Sequence, residues 1–245
     1  MTTSARIRSA TRWLAAGAGL AGGAYGTFVI TTWRRYGQVP PAKSAEKDEL
    51  LDKFMPNYDV VERHHIRVAA PAGVTLAAAQ ELELGRLPVV RAIMKGRELI
   101  LGSTPDNRPR PTGLLAEMQS LGWRVLHGTP GREIVIGAVT KPWEANVTFC
   151  GLPPDEFAAF NEPDYVKIAW TLRADAITAN ESMFRTETRA LATDATARRK
   201  FRWYWSFLSP GITLIRWALL WPIKRDAERR VQETTARVTT RAGSR

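Results

Sequence analysis

A chain of 245 residues with 44% hydrophobic and 24% charged side chains can build one ordinary domain, which excludes wholesale disorder. Its one cysteine, Cys150, excludes an intrachain disulfide framework. The formal charge of +11 leaves nucleic acid, anionic lipid or a plain basic surface as the readings to separate.

Residues 1–12 form a basic arm carrying Arg6, Arg8 and Arg12. Trp13 to Trp33 then runs without a charge, about 31 Å as a helix, with Trp at each end and Arg34-Arg35 closing it. This predicts a transmembrane helix over 13–33. A cleaved signal peptide fits less well, because no small-x-small site precedes polar sequence. Gly19-x-x-x-Gly23 and Gly22-x-x-x-Gly26 could seat a second helix and make a homodimer. Arg34, Arg35, Lys43 and Lys47 outnumber the basic residues before the span, which with the unpaired cysteine places the rest of the chain on the cytoplasmic side. The expected location is the cell membrane, single-pass.

Residues 34–54, with Pro40-Pro41, read as a linker. A domain over 55–230 follows. Tyr58 to Ala69 alternates as a strand, with Val60, Glu62, His64, Ile66 and Val68 on one face. Ala72 to Leu84 is helical, Pro88 to Leu101 is a second helix or a helix–strand piece, Gly102 to Gly113 is a loop, and Leu114 to Leu121 is a short helix. Strands are predicted at Trp123 to His127, Glu133 to Thr140, Tyr165 to Ala174 and Ser182 to Ala192. The first two are joined by the turn Gly128-Thr129-Pro130-Gly131, and a short helix near Asp155 to Phe160 precedes the third. Asp194 caps a long last helix that Pro210 and Pro222 should kink or break. Residues 231–245 read as a frayed basic tail. The order predicts an α+β fold in which a curved antiparallel sheet wraps the last helix.

This order resembles the helix-grip fold of the START/Bet v 1-like (SRPBCC) superfamily, which includes polyketide cyclases and lipid-transfer proteins. The resemblance rests on MPNYDVVERHHIRVAAP (Met55 to Pro71), on GWRVL and GREIVIGAV within Gly122 to Val139, and on YVKIAW with TETRALATD. These segments, and the Pro-broken block SPGITLIRWALLWPIKRDAERR, are similar to a bacterial group whose members carry one N-terminal span. The Arg-rich, Ala-rich composition agrees with a GC-rich bacterial genome. The resemblance implies a cavity between sheet and last helix for an apolar or amphipathic ligand, and it supplies no catalytic residues to carry over.

The sharpest polar cluster is Glu62 with His64, a carboxylate and an imidazole on the apolar face of the first strand. If catalytic, they are the acid/base pair; otherwise they are a hydrogen-bonded pair at a cavity wall. Ligand-binding candidates are His64, Trp170 and Phe184, with Thr186 and Thr188 as orienting hydroxyls. Glu187 between Arg185 and Arg189 reads as a solvated charge ladder. No metal site is expected, since His64 and His65 point to opposite faces, and no cofactor motif is recognised. Basic residues flanking apolar stretches, with no nucleic-acid motif, favour membrane lipids over DNA or RNA. The readings, in order, are a membrane-tethered binding or transfer module for a hydrophobic, lipid-like ligand, a cyclase- or dehydratase-type enzyme, and a structural partner without ligand.

Overall fold

The computed structural model describes residues 19–20, 22–104 and 111–242. Its centre is a six-stranded antiparallel sheet in the order β1-β6-β5-β3-β2, with β4 beside β3. The strands are β1 (Val60–Val68), β2 (Arg124–Thr129), β3 (Glu133–Thr140), β4 (Phe149–Cys150), β5 (Val166–Thr178) and β6 (Glu181–Ala192). The helices are α1 (residues 22–35), α2 (Glu49–Phe54), α3 (Ala72–Glu81), α4 (Pro88–Leu101), α5 (Leu114–Ser120), α6 (Pro154–Ala159) and α7 (Ala195–Ala242). An antiparallel sheet with a long C-terminal helix across one face is the α+β plan anticipated, and it fits a helix grip.

Strand alternation sorts the side chains onto two faces. The inner face, toward α7, carries Ile136, Trp170, Leu172 and Phe184. They bury against Leu219, Leu220, Ile223 and Ala227 of α7 and against Leu76 and Ala79 of α3. The outer face carries Val135 and Ala169, covered by Leu51 of α2 and Phe157 of α6. Asp48 starts α2 by accepting from the Leu51 N–H at 2.8 Å, so residues inside the expected linker contribute to this outer layer. Gly137 lets α6 approach: a Cβ there would lie 2.6 Å from Leu126 and 3.0 Å from Phe157.

The last helix begins where Asp194 predicts, its carboxylate accepting from the Ala197 N–H at 2.6 Å. It is one helix to Ala242, through Pro210 and Pro222 and through residues 231–242. The expected break is absent. Packing on both sides of each proline holds the axis together: Phe201 and Trp205 before the first, Leu219, Leu220 and Ile223 around the second.

Among the described residues no helix is long and apolar enough to cross a membrane. This overturns the transmembrane helix over 13–33 and the single-pass, cell-membrane location built on it. Residues 1–18, which hold the basic arm and the start of that segment, lie outside the described residues. The physical reason is composition: freedom from charge is not hydrophobicity. Gly22, Gly23, Gly26, Thr27, Thr31 and Thr32 give α1 little apolar area. Instead α1 lies along α7. The Tyr25 hydroxyl donates to the Phe207 carbonyl at 2.7 Å, and the Trp33 and Trp203 rings meet edge-on at 4.7 Å. The Arg202 guanidinium donates twice to the Trp33 carbonyl, at 2.9 and 2.7 Å. Among the described residues, nothing beyond the helix's own backbone and the adjacent residues comes within 4 Å of a Cβ built at Gly19, Gly22, Gly23 or Gly26.

Candidate functional site

The register of the central strands assembles a polar island on the inner face. Thr188 of β6 pairs with Glu62 of β1 on one side and Trp170 of β5 on the other, and Thr186 pairs with His64 and Leu172. Rows two residues apart share a face, so Glu62, His64, Thr186, Thr188 and Trp170 converge. The His64 Nε2 lies 3.2 Å from the Glu62 carboxylate, and both side chains keep some solvent access, at 10% and 22% exposure. The Trp170 indole N–H donates to the Thr186 hydroxyl at 2.6 Å, which satisfies both groups in a buried place. The Thr188 hydroxyl is also buried, and it has no hydrogen-bond partner among the described residues. Phe184 stands apart from this island. It pairs with Ile66 and Ala174 and is packed into the core with Leu219 and Ile223.

The remaining member comes from α7. The half-buried Arg216 guanidinium lies 3.9 Å over the Trp170 ring, a cation–π contact that closes the island from the helix side. Burial pushes its pKa down to about 10, with the negative charge of Glu62 working the other way. No ion pair or hydrogen bond engages it among the described residues, since Glu62 acts only at a distance. In the sequence Arg216 counts merely as a charge interrupting an apolar block. Its spacing held the signal: Arg216, Leu220, Ile223 and Ala227 fall on one helical stripe, the stripe that faces the sheet. The neighbouring Trp217 is 63% exposed, yet its ring reaches the edge of His64 at 6.3 Å between centroids.

The outer face shows how this chain treats a guanidinium it buries for structure. Arg189 donates to Glu187 at 2.7 Å, to Asp52 at 2.5 Å and to the Met55 carbonyl at 2.8 Å, while Arg63 donates to Glu187 at 2.9 Å and to the Tyr58 hydroxyl. Burial opposes the Arg189 charge, but its bonds to Glu187 and Asp52 outweigh that and hold its pKa above the usual value. Glu187 and Arg189 are 6% and 1% exposed, so these two members of the ladder expected in solvent are buried, with Arg189 bonded to Asp52 of α2, while Arg185 stays partly exposed beside Asp175. The local pattern could not show this, because the cover comes from more than 130 residues earlier in the chain.

A groove of about 580 Å³ lies elsewhere, between α1, the end of α4 and α7, lined by Tyr25, Ile100, Trp143, Trp203 and Phe207. Its one ammonium, Lys200, is already bound to Asp164 at 2.6 Å. No group of three or more His, Cys, Asp or Glu side chains that could hold a metal ion occurs among the described residues.

No family model matches the chain, and no curated protein does. Among solved structures it is similar to an aromatase/cyclase from Streptomyces sp. R1128, at 13% identity and a TM-score of 0.25, over 70% of this chain and 95% of that one. It is also similar to the two-domain ARO/CYC protein of the BE-7585A biosynthetic pathway, at 13% identity and a TM-score of 0.27. That match covers 69% of this chain and 46% of the other, about half its length. Ara h 8.0201 matches at 9% identity and a TM-score of 0.19, over 64% of this chain and 97% of that one. Likeness this slight carries no argument about ligand or chemistry, which rest on the residues themselves.

Proposed function

We propose that this protein is a binding module that holds an apolar or amphipathic small molecule between the inner sheet face and α7, with the ligand's polar end at the island of Glu62, His64, Thr188 and Arg216. The observation that supports this best is the island itself. An otherwise apolar sheet face carries a carboxylate–imidazole pair and a hydroxyl, and α7 sets a guanidinium against it; among the described residues neither the hydroxyl nor the guanidinium has a hydrogen-bond or ion-pair partner. A few convergent polar groups set in apolar walls are what orients a small ligand.

A second reading has one observation in its favour, the 3.2 Å contact between His64 Nε2 and the Glu62 carboxylate. In an enzyme of cyclase or dehydratase type, Glu62 would hold the imidazole while His64 moved a proton on the bound molecule.

Native mass spectrometry of the purified full-length chain tests the first reading directly, by showing whether an apolar small molecule copurifies. Trp170→Ala and His64→Gln then separate the two. Under the binding reading Trp170→Ala shifts ligand occupancy and His64→Gln shifts it only modestly. Under the enzymatic reading His64→Gln abolishes turnover and leaves binding largely intact. If a ligand copurifies and neither variant alters its occupancy in folded protein, the pocket lies elsewhere.

A further inference from the structure

Two groups where the inner face meets α7 lack, among the described residues, the partners their surroundings call for. An isolated guanidinium packed in a protein is costly unless an anion or several acceptors meet it. Arg189 and Arg63 obey this rule with carboxylates and carbonyl or hydroxyl oxygens at 2.5–2.9 Å. Arg216, over Trp170, does not. The buried Thr188 hydroxyl is the second orphan, and Thr188 is the strand partner of the same Trp170. The Trp170 N–H is spent on Thr186, and the nearest carboxylate, Glu62, is engaged with His64, so neither completes the pair.

We infer that the inner-face site takes an amphiphile with a single oxyanion head, a carboxylate or a phosphate monoester, received by the Arg216 guanidinium and the Thr188 hydroxyl beside Trp170. A planar guanidinium offers two parallel N–H donors to such a head, and a threonine hydroxyl adds a third from the sheet. Seating the apolar tail along the inner face requires α7 to move off Ile136, Trp170 and Leu172, each 2% exposed when packed. This rests on the ligand-binding reading above and narrows it to one ligand class.

The test is isothermal titration of the full-length chain with three probes sharing one tail: palmitate, hexadecyl phosphate and hexadecanol. One or both anionic probes should bind at least about tenfold tighter than the alcohol, as expected for a charge-assisted hydrogen bond. Which one does so identifies the head. Arg216→Gln should remove that preference, and Thr188→Val should reduce it, in protein that still binds hexadecanol. If Arg216→Gln does not fold, Arg216→Lys replaces it, keeping the charge without the two-pronged donor, and the preference should fall several-fold. Equal binding of all three probes, or an anion preference untouched by the Arg216 and Thr188 variants, overturns the oxyanion site and leaves the apolar-ligand reading standing. Failure of all three to bind, with nothing copurifying, removes the ligand reading and this inference with it.

Discussion

Arg189 and Arg216 put the same side chain in opposite circumstances, and removing the acceptor of the first should act with opposite sign to removing the second. Arg189 sits within a network with Glu187, Asp52 and Arg63. Glu187→Ala would leave two guanidinium groups packed without their shared carboxylate and should cost about 3–5 kcal/mol of unfolding free energy, read from urea denaturation. Arg216→Leu removes a charge that has no acceptor among the described residues and should stabilise the free protein by about 1–3 kcal/mol while weakening ligand binding. The pH dependence follows from the direction of the shift. Burial holds the folded-state pKa of Arg216 down at about 10, below its ordinary value, so above pH 10 the unfolded chain binds more protons and wild-type stability gains with rising pH. The advantage of Arg216→Leu should therefore be constant below about pH 9 and shrink above pH 10. An advantage that grows with pH would contradict the assigned burial of that charge.

At the scale of elements, what was legible was local and what was not came from distant cover. Period-2 alternation puts Glu62 and His64 with Val60 and Val68, and the register places them opposite Thr188 and Thr186 on the inner face. The Asp194 cap, β3 and α4 fall at the residues their signals indicate. Of the kink or break expected at the prolines, the break does not occur in α7, because an isolated-helix cost of about 3 kcal/mol per proline is outweighed when the flanks bury leucine, isoleucine and aromatic side chains. In the described part of the uncharged N-terminal stretch the helix is likewise not apolar enough to span, and residues 22–35 dock on α7 instead. Outer-face packing leaves a further mark at Gly137. Gly137→Ala would press a methyl against Leu126 and the fully buried Phe157, and should lower stability by about 1–3 kcal/mol, seen as a lower Tm, with α6 the element displaced. An unchanged Tm would show that Leu126 yields without cost.

Across the whole molecule, α7 does two jobs along its length. Its second half closes the inner face with Arg216, Leu219 and Ile223, while its first half holds α1 through Arg202, Trp203 and Phe207. One continuous helix therefore connects the N-terminal segment to the roof of the proposed site. The joint with α1 is polar as well as aromatic: Arg202 stacks 4.2 Å over the Trp33 ring and donates twice to its carbonyl, an acceptor near the C-terminal end of α1 where helix carbonyls lack intrahelical partners. Hydrogen bonds from a charged donor contribute about 1.5–3 kcal/mol, and each 1.4 kcal/mol is a factor of ten in an opening equilibrium. Arg202→Ala should therefore speed amide exchange over residues 22–35 by about ten- to a hundredfold, measured by hydrogen–deuterium exchange mass spectrometry. Exchange in β5 and β6 should hold at its wild-type rate, because those strands are paired on both sides. Unchanged exchange over 22–35 would mean that the aromatic contacts alone hold α1. Faster exchange in β5 and β6 as well would mean that α1 and the sheet open as one unit, so that the N-terminal segment belongs to the core.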